Sequence, residues 1–321
     1  MSDLEDLRRR RDAVVAEHGP WNMHRIQLAP GLDTAEDRDY DLRLRRFVQT
    51  VSDLYQGQLA GLRVLDLACG EGQYALEFAR HGAQAVGIEI RESFLARCRF
   101  AQEALGLEGV EFVQDDVRNL SRERYGSFDV VICSGILYHL DTPDVFEVVA
   151  RIGEVCSRVL LLDAVVALRA AEARSFEGRE YWGLSYREHA EQATPEERAR
   201  AVWQSIDNTH SFWLTEGSLA NLLAASGFTS VSRCLVPHVT HQLDRASWVA
   251  LKGAPVEVRS APPLNAADPA GLPPRPSWRA SPTQLPGYVL WDRVRPFVPE
   301  GVKQGLKRAL GIGTPPVEDE A

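Results

Sequence analysis

No stretch of this 321-residue chain supplies the roughly 18 consecutive apolar residues that a membrane-spanning helix needs. The opening MSDLEDLRRRRD is too charged for a secretory signal, so the chain is expected in the cytoplasm. Metal-ligand spacing is missing as well. The five cysteines, Cys69, Cys98, Cys133, Cys156 and Cys234, are odd in number, scattered, and form no CxxC or Cys/His pattern. They read as reduced thiols, and no metal is expected. Surplus positive charge is also lacking. A net charge of −9 argues against broad electrostatic capture of nucleic acid or of an anionic membrane, although a local basic patch fits within that total. No internal repeat is found. The remainder, 45% hydrophobic and 25% charged, suits a soluble globular protein with room for one large or two small domains.

The chain is organised around residues 63–81, RVLDLACGEGQYALEFARH. A short apolar strand carrying Asp66 runs into a turn at Gly70 and Gly72, and an amphipathic helix follows at once. The two glycines permit backbone angles and a closeness of approach that a side chain forbids, so a ligand can lie against the main chain. A diphosphate fingerprint would place a third glycine where Ala75 stands. The turn carries Asp66 and Glu71 but no lysine. That favours a ligand with an amino or cationic group, such as an amino-acid nucleoside, over one bearing phosphates.

The pattern D-x-x-C-G-x-G-x-Y, made here by Asp66, Cys69, Gly70, Gly72 and Tyr74, resembles the first motif of class I S-adenosylmethionine (SAM) dependent methyltransferases. The resemblance runs over residues 61–253. It implies an α/β, Rossmann-like fold with a seven-stranded sheet, SAM as cofactor, and cofactor contacts at Asp66, Ala68, Gly70, Gly72 and Tyr74. The next strand, 85–90, ends at Glu89 and Ile90. An acid at the carboxyl end of such a parallel strand can accept both ribose hydroxyls, the role expected of Glu89; a solvated acid is the plainer alternative. A helix is expected over 93–105. After the third strand, 110–113, come Asp115, Asp116 and Val117, where the resemblance implies an acid on the adenine amino group. The register favours Asp116, Asp115 can exchange with it, and Val117 offers its backbone; a turn-forming aspartate is the alternative.

The fourth strand, 128–133, leads into SGILYHL at 134–140. In the family this segment lines the methionine end of the cofactor, here beginning with Ser134, and borders the transferring methyl. Tyr138 and His139 are therefore catalytic candidates. A histidine there can serve as general base, or can hydrogen-bond structurally at the head of the helix starting near Thr142-Pro143. The fifth strand, 158–163, ends in Asp163, which faces either cofactor or substrate.

An insertion over 164–213 lies outside a minimal methyltransferase core and reads as a lid over the substrate. It holds Tyr181, Trp182, Tyr186, Trp203 and Phe212, with His189 and with His210 as a further catalytic candidate. These aromatics suit a pocket for a ring-bearing substrate, and ordinary packing of a helical lid accounts for them equally. A helix over 214–227 and two strands, 228–236 and 246–251, complete the sheet as an antiparallel hairpin. Residues 1–60 read as a helical cap, with helices over 3–17 and 40–59 and a short strand and turn between them. Residues 254–287 are proline-dense and read as a linker. Residues 288–321 form an arm whose amphipathic part, 288–310, docks on its own domain or makes weak contact with a membrane or a partner.

A narrower pattern combines Trp21, Ile26, Leu28, Gly31 and Thr34 before the core with G-x-L-Y-H-L and a later SFWLT. It resembles a branch that includes the bacterial enzymes modifying the tRNA wobble uridine with carboxy-SAM. Tyr138 matches the tyrosine that helps hold the extra carboxylate in those enzymes. The stretch before the core, however, offers His24 and Arg25 and no lysine. Methyl transfer from ordinary SAM to an O or N atom of a small molecule or glycan is the preferred reading. Wobble-uridine modification with carboxy-SAM and a non-catalytic SAM-binding scaffold are the alternatives.

Overall fold

The computed structural model describes residues 3–35, 42–235, 244–254, 298–299, 302–303 and 306. The proline-dense linker beyond Ala254 and nearly all of the C-terminal arm lie outside the described residues. The chain divides into two units, Met1–Val256 and Glu257–Ala321. In the second, the Val302 N–H donates to the Pro299 carbonyl at 3.0 Å. Among the described residues no helix is long and apolar enough to cross a membrane.

The first unit begins with α1 (Asp3–His18), a hairpin of β1 (Gln27–Ala29) and β2 (Leu32–Asp33), and α2 (Leu42–Leu54). Strands and helices then alternate: β3 (Arg63–Leu67), α3 (Gln73–Arg80), β4 (Gln84–Glu89), α4 (Glu92–Ala104), β5 (Val110–Gln114), the single turn α5 (Arg122–Tyr125), β6 (Phe128–Ser134), α6 (Asp144–Val155) and β7 (Cys156–Val165). Alternation of this kind yields a parallel sheet covered by helices on both faces. Accordingly Val64, Leu65, Asp66 and Leu67 of β3 are all buried. After the insertion, which contributes β8 (Glu172–Phe176), β9 (Arg179–Arg187), α7 (Pro195–Arg200) and β10 (His210–Leu214), come α8 (Glu216–Ala225), β11 (Ser230–Cys234) and β12 (Arg245–Leu251).

The seven-stranded sheet has the order β11-β12-β7-β6-β3-β4-β5. Strands β3 to β7 are mutually parallel, whereas β12 runs antiparallel to both β7 and β11. The chain leaves β3 for β4 on one side and returns to β6 on the other. This reversal opens a crevice at the carboxyl ends of β3, β4 and β6, where open α/β sheets bind ligands.

The insertion differs from the helical lid allowed for in the sequence. It folds as a three-stranded antiparallel sheet of β8 (Glu172–Phe176), β9 (Arg179–Arg187) and β10 (His210–Leu214), with one short helix, α7 (Pro195–Arg200). The cause is local. Glu177 and Gly178 both take positive φ, 48° and 75°, as a tight hairpin turn requires. Along β9 the burial alternates, Tyr181 and Gly183 inward and Trp182 outward, the period of a strand rather than a helix.

Candidate functional site

A cavity of about 360 Å³ occupies the crevice. Of the cofactor residues expected from sequence, Asp66, Ala68, Gly70, Tyr74, Glu89, Ile90, Asp115, Asp116, Val117 and Ser134 all line it, together with Tyr138 and His139. Gly72 and His210 do not. Gly72 heads α3 with φ 79°, and a Cβ there would lie 2.9 Å from the Phe112 ring. Its smallness serves packing within the sheet rather than ligand approach. His210 pairs with Arg187 across β9 and β10, and its Nδ1 sits 3.2 Å from the Thr209 hydroxyl. His189 is buried, with Nε2 against the Ser205 carbonyl at 2.6 Å.

The glycine turn is built by backbone geometry. Ala68 takes φ 51° and Gly70 φ 55°, the left-handed region that a non-glycine residue adopts only where its surroundings enforce it. The Gly70 N–H donates to Glu89 Oε2 at 3.0 Å and the Arg91 N–H to Oε1 at 2.9 Å. Glu89 is thus fixed at the tip of β4 with one amide on each oxygen, and each oxygen keeps a lone-pair direction for a hydroxyl. Burial pushes its pKa up, against the Arg91 and Gly70 amides. Asp66 accepts the Ala75 N–H at 3.2 Å. Burial pushes its carboxyl up to about 8, with the Ala75 bond opposing and the Glu89 charge adding. An ammonium group brought into the cavity would favour its ionised form.

Glu71 takes a different part from the ligand-facing one that its place in the turn suggested. It is fully buried and accepts the N–H groups of Asn22, Met23 and His24 at 2.8, 3.2 and 2.8 Å. Arg97 pairs with it at 3.3 Å and also donates to the Pro20 carbonyl. The acid clamps the segment before the core, bringing Met23 and His24 to the cavity wall. Trp21 anchors the same segment, buried against Phe100 with ring centroids 5.9 Å apart.

At the other end of the crevice, Asp115 is held by Asn119 at 2.7 Å, by the Tyr125 hydroxyl and by Arg124 at 3.0 Å. Asp116 caps the following turn and engages the Arg118 guanidinium with both oxygens. Arg118 reaches on to Asp144 at 3.2 Å and to Asp207 of the insertion at 2.5 Å. Asp116 first, and Asp207, raise its pKa further against the opposing effect of burial. Arg91 likewise donates to the carbonyls of Ala199, Ala201 and Gln204. Two arginines beside the crevice thereby tie the insertion down.

The insertion also fixes the turn at 137–140. The Asn208 amide donates to the His139 carbonyl at 2.8 Å, the Trp213 indole to the Tyr138 carbonyl at 2.9 Å, and the Phe212 N–H to the Leu140 carbonyl at 2.9 Å. Within this frame, His139 Nδ1 lies 3.0 and 3.2 Å from the two oxygens of Glu188. Glu188 further accepts the Ser211 hydroxyl at 2.9 Å and the Ser205 N–H at 3.1 Å. Burial raises its proton affinity, but His139, Ser205 and Ser211 outweigh burial and leave the carboxyl below the ordinary range. A carboxylate so held keeps the proton of the imidazole on Nδ1 and leaves Nε2 to receive another. Ser134 and Tyr74 hydroxyls lie 3.3 Å apart nearby.

Asp163, expected at the end of its strand, lies within β7, which runs two residues further to Val165; it is fully buried and accepts from Arg43, Arg245 and Ser247. Of the insertion's aromatics, Trp203 lines the cavity, Tyr181 and Phe212 are core, and Trp182 and Tyr186 are exposed off the cavity. Glu188, Arg43, Arg118 and Arg245 were not singled out from sequence. Their neighbours carry no motif, and Arg43 sits in a helix whose charges look like a solvated face.

The sheet order and the glycine turn define a Rossmann-like methyltransferase fold. Residues 64–158 match the family model described as a methyltransferase domain. The ubiquinone biosynthesis O-methyltransferase of Acinetobacter baumannii (strain AYE) is 38% identical over 87 residues, covering 27% of this chain and 37% of that protein. The protein of the same name from Leptothrix cholodnii is 33% identical over 119 residues, 37% of this chain and 46% of that one. The chain therefore spans less than half the length of these relatives. Among solved structures, the N-terminal domain of EvdMO1 in the presence of SAH and D-fucose aligns with a TM-score of 0.59 and 24% identity, covering 78% of this chain and 97% of that domain.

Proposed function

We propose that the protein is a SAM-dependent methyltransferase acting on an oxygen or nitrogen nucleophile of a small molecule. The observation that carries this reading is the lining of one cavity by two sets of residues: Asp66, Gly70, Glu89 and Asp116 on one side, and His139, backed by Glu188, on the other. The donor set fits the cofactor. Acids without lysine suit hydroxyls, an adenine amine and an ammonium, and the volume lies within the range of small-molecule sites.

SAM, when bound, supplies a methyl group made electrophilic by its sulfonium. Glu89 would hold the ribose hydroxyls, Asp116 the adenine amino group with the Val117 backbone beside it, and Asp66 the ammonium of the methionine end. His139 Nε2 would take the proton of the acceptor hydroxyl or amine as that atom receives the methyl group, whose bond to sulfur breaks to leave S-adenosylhomocysteine. Glu188 holds the Nδ1 proton and stabilises the imidazolium that results. The insertion, tied down by Arg91 and Arg118, acts as a lid that excludes water and orients the acceptor.

The names of the relatives above support transfer to oxygen. The D-fucose in the EvdMO1 structure supports a sugar-like acceptor, the glycan form of the proposal. The carboxy-SAM alternative has Tyr138 in its favour. One experiment tests the whole reading: incubation with SAM and a panel of hydroxylated small molecules, read as SAH formation. Turnover with a member of the panel supports it, and SAH formation that survives loss of both His139 and Glu89 would contradict the assigned roles.

A further inference from the structure

Resting on the methyltransferase reading, we infer that Trp203 of the insertion stacks on the adenine of SAM, so that the insertion closes over the cofactor as well as over the acceptor. Two anchors fix where this segment lies. Arg91 stands two residues after Glu89, just beyond β4, and its guanidinium donates to the carbonyls of Ala199, Ala201 and Gln204, which bracket Trp203. Arg118 stands two residues after Asp116, beyond β5, and holds Asp207 at 2.5 Å. Strands β4 and β5 are neighbours at one edge of the sheet, whereas β6, which leads to His139, lies on the far side of β3. The segment 199–207 is therefore pinned to the half of the crevice that carries Glu89 and Asp116.

Trp203 lines the cavity and keeps 58% of its surface open. A large aromatic side chain in a cavity wall with that much free surface has an apolar body to offer a ligand. The core side of the same end is apolar too, with Ile90, Phe94 and Val117 on the wall. Apolar walls from the core and from the insertion, with the Asp116 carboxylate between them, match a flat heteroaromatic ring that bears an amino group. Its faces take stacking and its amino edge takes an acceptor. An acceptor ring is the poorer match, because the backbone on both sides of the indole is tied to the β4 end while the base, His139, follows β6. The segment still reaches the base through one bond: the Ser205 amide donates at 3.1 Å to Glu188, the carboxylate on His139. Closure on the adenine thus also sets the carboxylate behind the general base.

The test titrates the full chain by calorimetry with SAH and with adenosine, which lacks the homocysteine. Both are expected to bind Trp203→Ala about five- to a hundredfold more weakly than the unaltered chain, the range of a base stacked on an aromatic side chain. Trp203→Phe should restore affinity to within about threefold, since a second flat ring replaces the first. Hydrogen exchange on the unaltered chain stands even where a variant fails to fold: adenosine alone should slow exchange of the amides at 199–207 as SAH does. A loss under about fivefold for either ligand in a folded Trp203→Ala overturns the contact, as does a loss equally large in Trp203→Phe. So does adenosine that fails to bind or that leaves the segment unprotected. Failure of SAH itself to bind the unaltered chain would instead sink the methyltransferase reading on which the contact rests.

Discussion

Glu188 holds Nδ1 of His139 at 3.0 Å although 49 residues separate the two in sequence. The carboxylate is fixed independently of the imidazole by the Ser205 amide and the Ser211 hydroxyl, so the histidine docks on a preset partner. The carbonyl of His139 is itself held by Asn208. One turn at the end of β6 and one segment of the insertion therefore determine each other's geometry, and the reacting end of the cavity exists only when both are folded.

Replacing His139 by Ala should lower kcat by about 10²–10⁴, the usual weight of a positioned general base. SAH affinity should stay within about twofold, since none of the cofactor roles passes through the imidazole. Glu188→Gln should lower kcat by a smaller factor, because the amide keeps a hydrogen bond but not the charge that stabilises the imidazolium. Steady-state kinetics beside calorimetry separate the outcomes. A kcat unchanged in His139→Ala would show that orientation alone drives the reaction.

In the proposed site Asp66 would link cofactor binding to protons. Its carboxyl is raised to about 8 in the folded chain, against about 4 in an unfolded one. The folded state thus keeps a proton that the unfolded state has lost between those values. The stabilisation this represents is fully present below about pH 4 and fades as pH rises through about 8. An ammonium arriving beside Asp66 drives ionisation, so SAM binding near pH 7 should release up to about one proton. Calorimetry in buffers of different ionisation heat measures this, and Asp66→Asn should abolish the release. Proton-neutral binding by the unaltered chain would remove Asp66 from the ammonium site.

The sheet was legible because its parallel strands are short apolar runs, and strands buried on both faces leave that trace in one dimension. That Asp66, Glu89 and Asp116 come to the cavity wall was legible for the same reason: position in or just after a parallel strand fixes position in the crevice. Glu188 and the two arginines on Asp163 were not. Their partners lie 49 to 120 residues away, and a charged residue in a helix or loop gives no local sign of what it will meet. Glu71 shows the opposite failure. Its position within the turn suggested a ligand, while its carboxylate in fact satisfies three amides of a segment about 50 residues earlier.

That clamp should be costly to remove. Glu71→Ala leaves three backbone donors without their acceptor and strands Arg97, which is 3% exposed. Loss of one partner from a buried pair typically costs about 3–5 kcal/mol. Urea unfolding followed by circular dichroism should show that order of loss, and a change under about 1 kcal/mol would mean that Trp21 and the Arg97–Pro20 bond hold the segment without the acid.

The two glycines of the turn should part company. Gly72→Ala places a Cβ 2.9 Å from the Phe112 ring at φ 79° and should cost about 1–3 kcal/mol of stability. Gly70 lines the cavity, and its Cβ would meet Met23 Sδ at an ordinary 3.4 Å. A bulkier side chain there, as in Gly70→Val, carries the strain of a β-branched residue at φ 55° and so also costs stability, but unlike Gly72→Ala it should weaken cofactor affinity as well. Paired thermal unfolding and SAH titration distinguish the two, and equal effects of both substitutions on affinity would undo the separation.

Glu89 is the most direct test of the central claim, because its oxygens are preset by the Gly70 and Arg91 amides at the mouth of the crevice. Calorimetric titration with SAH is the measurement. The unaltered chain should bind, and Glu89→Ala should bind about ten- to a hundredfold more weakly, the equivalent of losing charge-assisted bonds to the ribose, with its thermal unfolding still cooperative. No binding by the unaltered chain, or equal binding by a folded Glu89→Ala, would contradict the account.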